Sequence, residues 1–399
     1  MPALDGRRLW FAGIGGAGLS GYAVVSRAWG AEVSGWDRKE TPYLAHVRAA
    51  GIPVDISPEP SEPPAGTEAV VSTAYAGKVQ GRARADFLAE LVALRRSIVV
   101  GGAHGKTTTA AMIAYCLDRL GDDPSFLIGG EVAQLGGNAR AGNGWLVVEG
   151  DESDGTVFLL PAEIAVVTNV DLDHHTQFSS TAELEQRFEA WAASVGEDRV
   201  VWGRDLEPVD FELAVPGLHN RLNAACALAA LQLAGFDRDA AADALAGFGG
   251  AGRRLEAHGS AGGVLIVDDY AHHPAELAAT IAAARSLAEG RLVVLFQPHL
   301  YSRTIHVGRD LGAALAAADA AVVTEIYAAR EESVAGVSGK IVVDGALEAR
   351  PGMLVGWAPE LGGAARLAAS LAQPGGVVLT VGAGDIDGAI PLLQEALGA

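Results

Sequence analysis

A glycine-rich segment that follows an apolar run constrains this chain more than any other feature. The run SIVV at 97–100 has the composition of a buried strand, and the segment GAHGKTTT at 102–109 comes directly after it. Glycines let backbone N–H groups turn toward phosphate oxygens, lysine adds positive charge, and a threonine hydroxyl can bind Mg²⁺. The common G-x-x-x-x-G-K-T pattern needs glycine at position 100, which here is valine. The chain therefore predicts a nucleoside triphosphate site built on a compressed G-x-x-G-K-T loop.

Composition limits the kind of protein that carries this loop. The chain has 399 residues, of which 50% are hydrophobic, and this length predicts two or three domains. The formal charge of −20 argues against nucleic acid as a partner, because a phosphate backbone would be repelled. The two cysteines, Cys116 and Cys226, are far apart, which favours reduced thiols over a disulfide. No apolar run approaches the roughly 20 residues of a membrane span, so we expect a soluble, cytoplasmic protein with no membrane partner.

Apolar runs alternate with helical segments along the whole chain. This alternation predicts an α/β fold of three consecutive α/β domains with parallel sheets. The predicted domains are 1–96, a Rossmann-like unit, 97–256, a central unit with the phosphate loop, and 257–399, a second Rossmann-like unit. The predicted strands lie at 8–12, 31–36, 68–72, 98–100, 146–148, 164–167, 264–267, 292–296, 320–323 and 377–380.

A second glycine pattern lies near the N-terminus. Gly13, Gly15 and Gly18 form G-x-G-x-x-G between a predicted strand and a helix, and Asp37 closes the next strand. This arrangement fits a dinucleotide fingerprint, but the same glycines serve any pyrophosphate. Three interpretations stay open from the residues alone: tight helix–strand packing, a nicotinamide site, or a UDP-type diphosphate site.

Carboxylates follow two strands of the predicted central unit. The segment EGDESD occupies 149–154 after one strand, and TNVDLDH occupies 168–174 after the next. Oxygen ligands at strand ends beside a phosphate loop favour a Mg²⁺ site over a solvated acidic loop. For His174, a structural hydrogen bond and metal ligation both remain open.

Polar clusters mark the later part of the chain. DDYAHHP at 268–274 and FQPHLYSRT at 296–304 each follow an apolar strand, which predicts a substrate-binding edge where Arg303 can bind a small carboxylate. In PGLHNRLNA at 216–224, Asn220 and Asn223 lie three residues apart at a helix start. The doublet Arg253-Arg254 is either a surface charge pair or a phosphate contact at a domain junction.

Taken in order, these motifs resemble the Mur ligase family. The resemblance spans nearly the whole chain. Within the family, FQPHLYSRT resembles the ligases that add L-alanine, and the absence of lysine between His174 and Val200 fits them as well, since ligases adding later residues carry a modified lysine there. The matching segments are GIGGAGLSG at 13–21, GAHGKTTT at 102–109, EGDESDGTVFL at 149–159, TNVDLDH at 168–174, PGLHNRLNA at 216–224, GRRLE at 252–256, DDYAHHPAE at 268–276, FQPHLYSRT at 296–304 and VGAGD at 381–385.

The resemblance implies partners and roles. The first unit binds the UDP moiety of UDP-N-acetylmuramate, the central unit binds ATP with Mg²⁺, and the third unit completes the ATP site and positions L-alanine. The implied UDP-substrate residues are Gly13, Gly15, Gly16, Ala17, Gly18 and Asp37. The implied ATP residues are Gly102, His104, Gly105, Lys106, Thr107, Thr108, Asn220, Asn223, Arg254, Asp268 and Tyr270. The implied Mg²⁺ ligands are Thr107, Glu149 and His174, and the implied catalytic residues are Lys106, His272, His299 and Arg303.

The resemblance also defines the expected reaction and its rivals. It implies an ATP-dependent ligase that works through an acyl phosphate, as a monomer or weak homodimer. The segments 72–84 and 196–216 are short for the family, and Ala103 and Leu300 replace its usual threonine and arginine. The alternatives are a ligase for another amino acid or a recycled peptide, and a catalytically weak protein that binds UDP-N-acetylmuramate. A third alternative, a nicotinamide-dependent oxidoreductase, is supported only by the segment from Gly13 to Gly18 and by Asp37.

Overall fold

The chain folds into two compact units. A computed structural model describes residues 3–171, 178, 180–329 and 331–398. The first unit comprises Met1–Ala214 and Arg221–Ala251, and the second comprises Val215–Asn220 and Gly252–Ala399. Two sheets lie in the first unit and one in the second. The expected three α/β segments are thus present as three sheets, while the domain boundaries at 96/97 and 256/257 stay predictions.

The first sheet is parallel throughout, with strand order β3-β2-β1-β4-β5. Apolar side chains fill its central strand, where Leu9, Trp10 and Phe11 are buried. Its strands are β1 Arg8–Ala12, β2 Glu32–Asp37, β3 Val54–Ile56, β4 Glu68–Val71 and β5 Arg82–Ala83, and its helices are α1 Ala17–Ala28, α2 Leu44–Ala49 and α3 Arg84–Ala93.

The second sheet has the order β11-β10-β6-β9-β7-β8, with the strand before the phosphate loop inside it. Ile98, Val99 and Val100 of that strand are fully buried, as expected for a strand covered on both faces. Its strands are β6 Ser97–Gly101, β7 Ser125–Val132, β8 Gly137–Arg140, β9 Leu146–Glu149, β10 Ile164–Val167 and β11 Val200–Trp202. The helices of this part of the chain are α4 Lys106–Arg119, α5 Thr181–Val195, α6 Leu218–Leu233 and α7 Arg238–Leu245.

The third sheet has the order β12-β13-β17-β14-β15-β16. Its central strands are also apolar and buried, from Val377 to Val381 and from Leu292 to Phe296. Its strands are β12 Glu256–Ala261, β13 Val264–Asp269, β14 Leu292–Phe296, β15 Ala320–Val323, β16 Leu354–Trp357 and β17 Val377–Val381. Its helices are α8 Pro274–Arg285, α9 Tyr301–Leu315, α10 Lys340–Ala349, α11 Leu361–Leu371 and α12 Ala389–Gly398.

The prediction that all sheets are parallel is wrong at two edge pairs. Strands β7 and β8 pair antiparallel, and so do β12 and β13. In both cases the connection is too short for the crossover that a parallel pair requires. Gly262 and Gly263 make the tighter connection, at φ values of 57° and 76°, a conformation that glycine adopts without strain.

Within the first unit, helix α1 packs against the edge of the second sheet. A Cβ atom at Gly21 would lie 3.0 Å from Ala139 Cβ and 3.1 Å from Leu127 Cδ2, so the absent side chain permits this close approach. Asn138 Nδ2 donates to Ala17 O at 3.2 Å. The first glycine turn is thereby held beside the second sheet. In the part of the chain that the structure describes, no helix combines the length and apolar character needed to cross a bilayer.

Candidate functional site

The phosphate loop connects β6 to α4 and depends on two glycines. Gly102 has φ +125°, and a Cβ atom there would lie 2.2 Å from Thr168 Oγ1. Gly105 precedes α4 at φ +79°, and a Cβ atom there would lie 2.3 Å from Asn223 Oδ1. Neither position accommodates a side chain without moving its neighbour, because both the backbone conformation and the space exclude it. The glycines singled out in the sequence are therefore required by the loop itself.

Residues that follow β10 hold the loop in place. Thr168 Oγ1 donates to His104 O at 2.7 Å, and Asn169 Nδ2 donates to the same carbonyl at 2.9 Å. Asn169 Oδ1 accepts from His104 N at 2.9 Å. The His104 ring lies 3.2 Å from Asp171, measured between Nε2 and Oδ2. These contacts fix the backbone of the loop before any ligand binds.

Lys106 is partly buried among oxygen acceptors, with 15% of its side chain exposed. Its Nζ donates to Gly102 O at 2.7 Å, to Ala103 O at 3.0 Å and to Glu152 Oε2 at 2.8 Å. Burial lowers the pKa of Lys106, but attraction from Glu152 and other carboxylates outweighs this effect and raises the pKa above its usual value. Lys106 is therefore a permanent cation at the loop, as phosphate binding requires.

Thr107 and Glu149 form the pair of oxygen groups expected for a divalent cation. Thr107 Oγ1 lies 2.9 Å from both carboxylate oxygens of Glu149, and Gly129 N donates to Glu149 Oε2 at 2.7 Å. A hydroxyl and a carboxylate are hard ligands that suit Mg²⁺, and they lie beside the phosphate loop. The third predicted ligand, His174, lies outside the described residues.

Helix α6 contains both predicted amides. Asn220 and Asn223 are three residues apart, a spacing that places side chains on neighbouring positions of a helix. Asn223 packs against Gly105, whereas Asn220 Nδ2 donates to Pro216 O at 2.7 Å. Asn220 belongs to the second unit and Asn223 to the first. Their nucleotide contacts stay predictions.

The first glycine turn is organised by Asp37. Gly15 N donates to Asp37 Oδ2 at 2.8 Å, and Arg38 N donates to Asp37 Oδ1 at 2.7 Å. A Cβ atom at Gly15 would lie 2.9 Å from both Asp37 Oδ2 and Thr41 Oγ1. Helix α1 begins after Gly16, which provides no side-chain cap, and its first turn carries no acidic residue. The uncapped N–H groups of this turn suit an anion, while the Asp37 carboxylate shapes the turn.

In the second unit, Arg253 holds together the ends of two neighbouring strands. Arg253 Nε donates to Asp268 Oδ2 at 2.9 Å, and its terminal nitrogens donate to Gly382 O at 2.7 Å and Gly384 O at 2.9 Å. Burial raises the pKa of Asp268, although Arg253 opposes the shift. The guanidinium of the predicted ATP residue Arg254 lies 5.4 Å from the centre of the Tyr270 ring.

The predicted amino-acid residues of the second unit lie close together. Arg303 Nη1 is 3.1 Å from His299 Nδ1, and the His299 ring stacks on Tyr327 with centres 5.9 Å apart. The His272 and His299 rings are 6.1 Å apart, edge to face. His272 Nδ1 is also 3.1 Å from Tyr270 O. Two imidazoles and a guanidinium therefore converge at the predicted edge of the third sheet.

Comparisons with known proteins show relatives along nearly the whole chain. Residues 8–96 match the model of the Mur ligase family, catalytic domain, and residues 253–384 match the Mur ligase, glutamate ligase domain. The chain is 38% identical to a UDP-N-acetylmuramate–L-alanine ligase from Mycobacterium sp. (strain JLS), over 98% of this chain and 96% of the relative. The chain belongs to the Mur ligase family. A ligase of the same name from Thermobifida fusca (strain YX) is 37% identical, over 98% of this chain and 97% of that relative.

Solved structures show the same Mur ligase fold. The UDP-N-acetylmuramate-alanine ligase from Thermotoga maritima superimposes with a TM-score of 0.79 and 25% identity, covering 97% of this chain and 98% of that one. A murein peptide ligase from Psychrobacter arcticus gives a TM-score of 0.64 at 22% identity, with 98% and 99% coverage, and supports the fold alone. The mixed α/β fold with three sheets is therefore that of the Mur ligases.

Sequence reasoning did not identify several residues that organise the site of this Mur ligase. Glu152 was part of a predicted acidic segment, but its pairing with Lys106 was not assigned. Arg253 was considered only with Arg254 as a doublet. Its positive φ of 55° and its ion pair with Asp268 appear only in the folded chain. In the segment 168–174, Thr168 and Asn169 support the phosphate loop, a role that the sequence does not indicate, and metal binding by this segment stays a prediction.

Proposed function

We propose that this Mur ligase uses ATP to join L-alanine to the lactyl carboxylate of UDP-N-acetylmuramate. The observation that carries the proposal is the phosphate loop, where the partly buried, cationic Lys106 lies next to the Thr107–Glu149 pair. The names of relatives that match nearly the full chain support the choice of substrates. We also propose a cytoplasmic location, which fits the use of ATP and a nucleotide sugar as substrates.

In the proposed reaction, the phosphate loop receives the triphosphate of ATP. Backbone N–H groups of the loop and the first turn of α4 bind phosphate oxygens, and Lys106 neutralises charge on the transferring group. Thr107 and Glu149 would hold Mg²⁺, which supplies Lewis-acid stabilisation of the phosphate oxygens when bound. Predicted nucleotide contacts from Asn220, Arg254, Asp268 and Tyr270 complete this part of the proposal.

The chemistry proceeds in two steps. A carboxylate oxygen of the sugar's lactyl group attacks the γ-phosphorus, so that the bond to the β–γ bridging oxygen breaks and ADP leaves. The neutral amine of L-alanine then attacks the acyl carbon, loses a proton, and expels inorganic phosphate as the amide forms. Phosphorylation is needed because an unactivated carboxylate has no adequate leaving group.

We assign amino-acid binding to the cluster in the second unit. Arg303 binds the carboxylate of L-alanine through its planar guanidinium, and His272 and His299 are the candidates that accept the amine proton. The contact of Arg303 Nη1 with His299 Nδ1 at 3.1 Å orients the imidazole. The uridine diphosphate is assigned to the glycine turn at 13–18, whose uncapped helix terminus suits a pyrophosphate.

Phosphate release tests the proposal directly. The purified protein is incubated with UDP-N-acetylmuramate, ATP, Mg²⁺ and a panel of L-alanine, glycine, L-serine and a murein tripeptide. We expect release that needs all components, with the highest kcat/KM for L-alanine. Release that is highest with the tripeptide, or that occurs equally without the nucleotide sugar, contradicts the proposal. Binding of the nucleotide sugar without any release assigns the chain to a non-catalytic role instead.

A further inference from the structure

A guanidinium from a different helix lies beside the uncapped start of α1. Arg84 is the first residue of α3, and its Nη1 would lie 3.2 Å from a Cβ atom placed on Gly18. Tyr22 lies behind the same glycine, with its hydroxyl 3.9 Å from that Cβ position. Burial raises the pKa of Tyr22 to about 12, so its hydroxyl stays neutral. The absence of a side chain at Gly18 thus lets the Arg84 guanidinium lie close to the first turn of α1.

Arg84 contacts one carboxylate in this structure. Its Nη2 donates to Asp154 Oδ2, and the two side chains are 20% and 26% exposed. Arg84 Nε is buried and has no hydrogen-bond partner among the residues that the structure describes. A buried donor without a partner is costly, so the pair with Asp154 does not use the full hydrogen-bonding capacity of the guanidinium.

Asp154 belongs to the acidic segment that also pairs with the phosphate loop. In the same segment Glu152 accepts from Lys106 Nζ at 2.8 Å. The cation beside each glycine turn is therefore paired with a carboxylate of the same short segment: Lys106 with Glu152, and Arg84 with Asp154. Asp154 Oδ1 separately accepts from Thr156 N at 3.0 Å, which fixes the carboxylate in its loop independently of Arg84.

We propose that Arg84 binds the diphosphate of the nucleotide-sugar substrate at the first turn of α1, and that Asp154 pairs with the guanidinium until the diphosphate replaces it. This inference rests on the proposed function, since it assumes a UDP-sugar at the glycine turn. Arginine suits the task because its planar fork presents two parallel donors to phosphate oxygens. The α1 terminus supplies N–H groups from the other side.

The test measures the affinity of UDP by titration calorimetry. Charge-assisted hydrogen bonds predict that R84Q raises the Kd for UDP by about 10- to 100-fold. D154N keeps the acceptor for Thr156 N but removes the competing charge, so its Kd for UDP is expected to be equal to or lower than that of the unmodified protein. R82Q is the matched control, since Arg82 pairs with Glu68 and Glu90. Its Kd for UDP is expected to be unchanged.

Two results overturn the inference. One is an R84Q protein that binds UDP within about threefold of the unmodified protein. The other is a parallel loss of UDP affinity in R84Q and D154N, which assigns the ion pair a structural role only. Melting temperatures show whether each variant folds. If R84Q does not fold, R84K replaces it in the test. Lysine keeps the positive charge but lacks the planar pair of donors, so R84K is expected to bind UDP less tightly than the unmodified protein. The unmodified protein can release phosphate as proposed while R84Q binds UDP with unchanged affinity. That combination rejects this inference but not the proposed function.

Discussion

Lys106 Nζ lies 2.8 Å from Glu152 Oε2, so the cation of the phosphate loop is paired with a carboxylate that follows the neighbouring strand. The Glu152 side chain is 3% exposed, and burial raises its pKa although Lys106 opposes that shift. A buried pair of this kind fixes the lysine next to the loop carbonyls. The loop is therefore organised before the nucleotide arrives.

Removal of this lysine tests the nucleotide site. We expect Lys106→Ala to lower kcat for phosphate release by at least about 100-fold, because charge on the transferring phosphoryl group loses its main side-chain partner. The assay uses UDP-N-acetylmuramate, ATP and L-alanine at saturation. Lys78→Ala, at an exposed lysine, is the control and should leave the rate unchanged. Normal turnover in Lys106→Ala contradicts the assignment.

The Thr107–Glu149 pair leads to a prediction on metal dependence. Glu149→Gln retains an acceptor for Thr107 and Gly129 N but removes the negative charge. We expect the Mg²⁺ concentration for half-maximal phosphate release to rise by about 10- to 100-fold. Glu163→Gln, at a surface carboxylate paired with Arg96, serves as the control. Superimposable Mg²⁺ titrations of the two variants argue against Glu149 as a ligand.

Glycine at position 105 is expected to matter for stability as well as binding. Gly105→Ala places Cβ 2.3 Å from Asn223 Oδ1 at φ +79°. Gly121 has nearly the same φ, +83°, with nothing within 4 Å of the added Cβ. We expect Gly121→Ala to cost about 1 kcal/mol and Gly105→Ala about 2–4 kcal/mol in urea denaturation. Equal losses would show that the loop yields to the added methyl group.

Arg303 provides a test of amino-acid recognition. We expect Arg303→Lys to raise the KM for L-alanine by about 10- to 100-fold, since lysine cannot bind a carboxylate through a planar fork. The KM values for ATP and UDP-N-acetylmuramate should change little. Arg309→Lys, on the same helix but paired with Glu348 at the surface, is the control. An unchanged KM for L-alanine would assign Arg303 to another role.

His219 leads to a prediction on pH dependence. Burial lowers the pKa of His219 below its ordinary value of 6.5, and Arg254 adds to this shift while Glu276 opposes it. Below pH 6.5 the unfolded chain binds a proton that the folded chain resists, so stability is lost as pH falls toward the folded pKa. We expect the melting temperature of His219→Gln minus that of the unmodified protein to increase as the pH falls from 7.5 to 5.5. A difference in melting temperature between the two proteins that stays constant over this pH range would contradict the prediction.

Much of the fold was predictable because its determinants are local. The apolar runs at 8–12, 164–167, 292–296 and 320–323 form strands with those same limits. Short edge strands such as β5 and β11 carry too few residues to show an alternating pattern, and sequence reasoning missed them. The antiparallel pair β12–β13 depends on a turn at Gly262 and Gly263, just before the predicted strand at 264–267, whereas β12 itself is not predicted from the sequence.

The sequence by itself determined that a glycine turn followed by lysine and threonine connects a buried strand to a helix at 101–107. The glycines that permit positive φ at 102 and 105, the lysine after them and the apolar strand before them are all adjacent in the sequence. Only the tertiary structure decided which carboxylate faces which cation: Glu152 faces Lys106, Asp268 faces Arg253, and Asp154 faces Arg84 across 70 positions of sequence. The physical reason is that an ion pair depends on distance in space, and sheet packing sets that distance between segments remote in the chain.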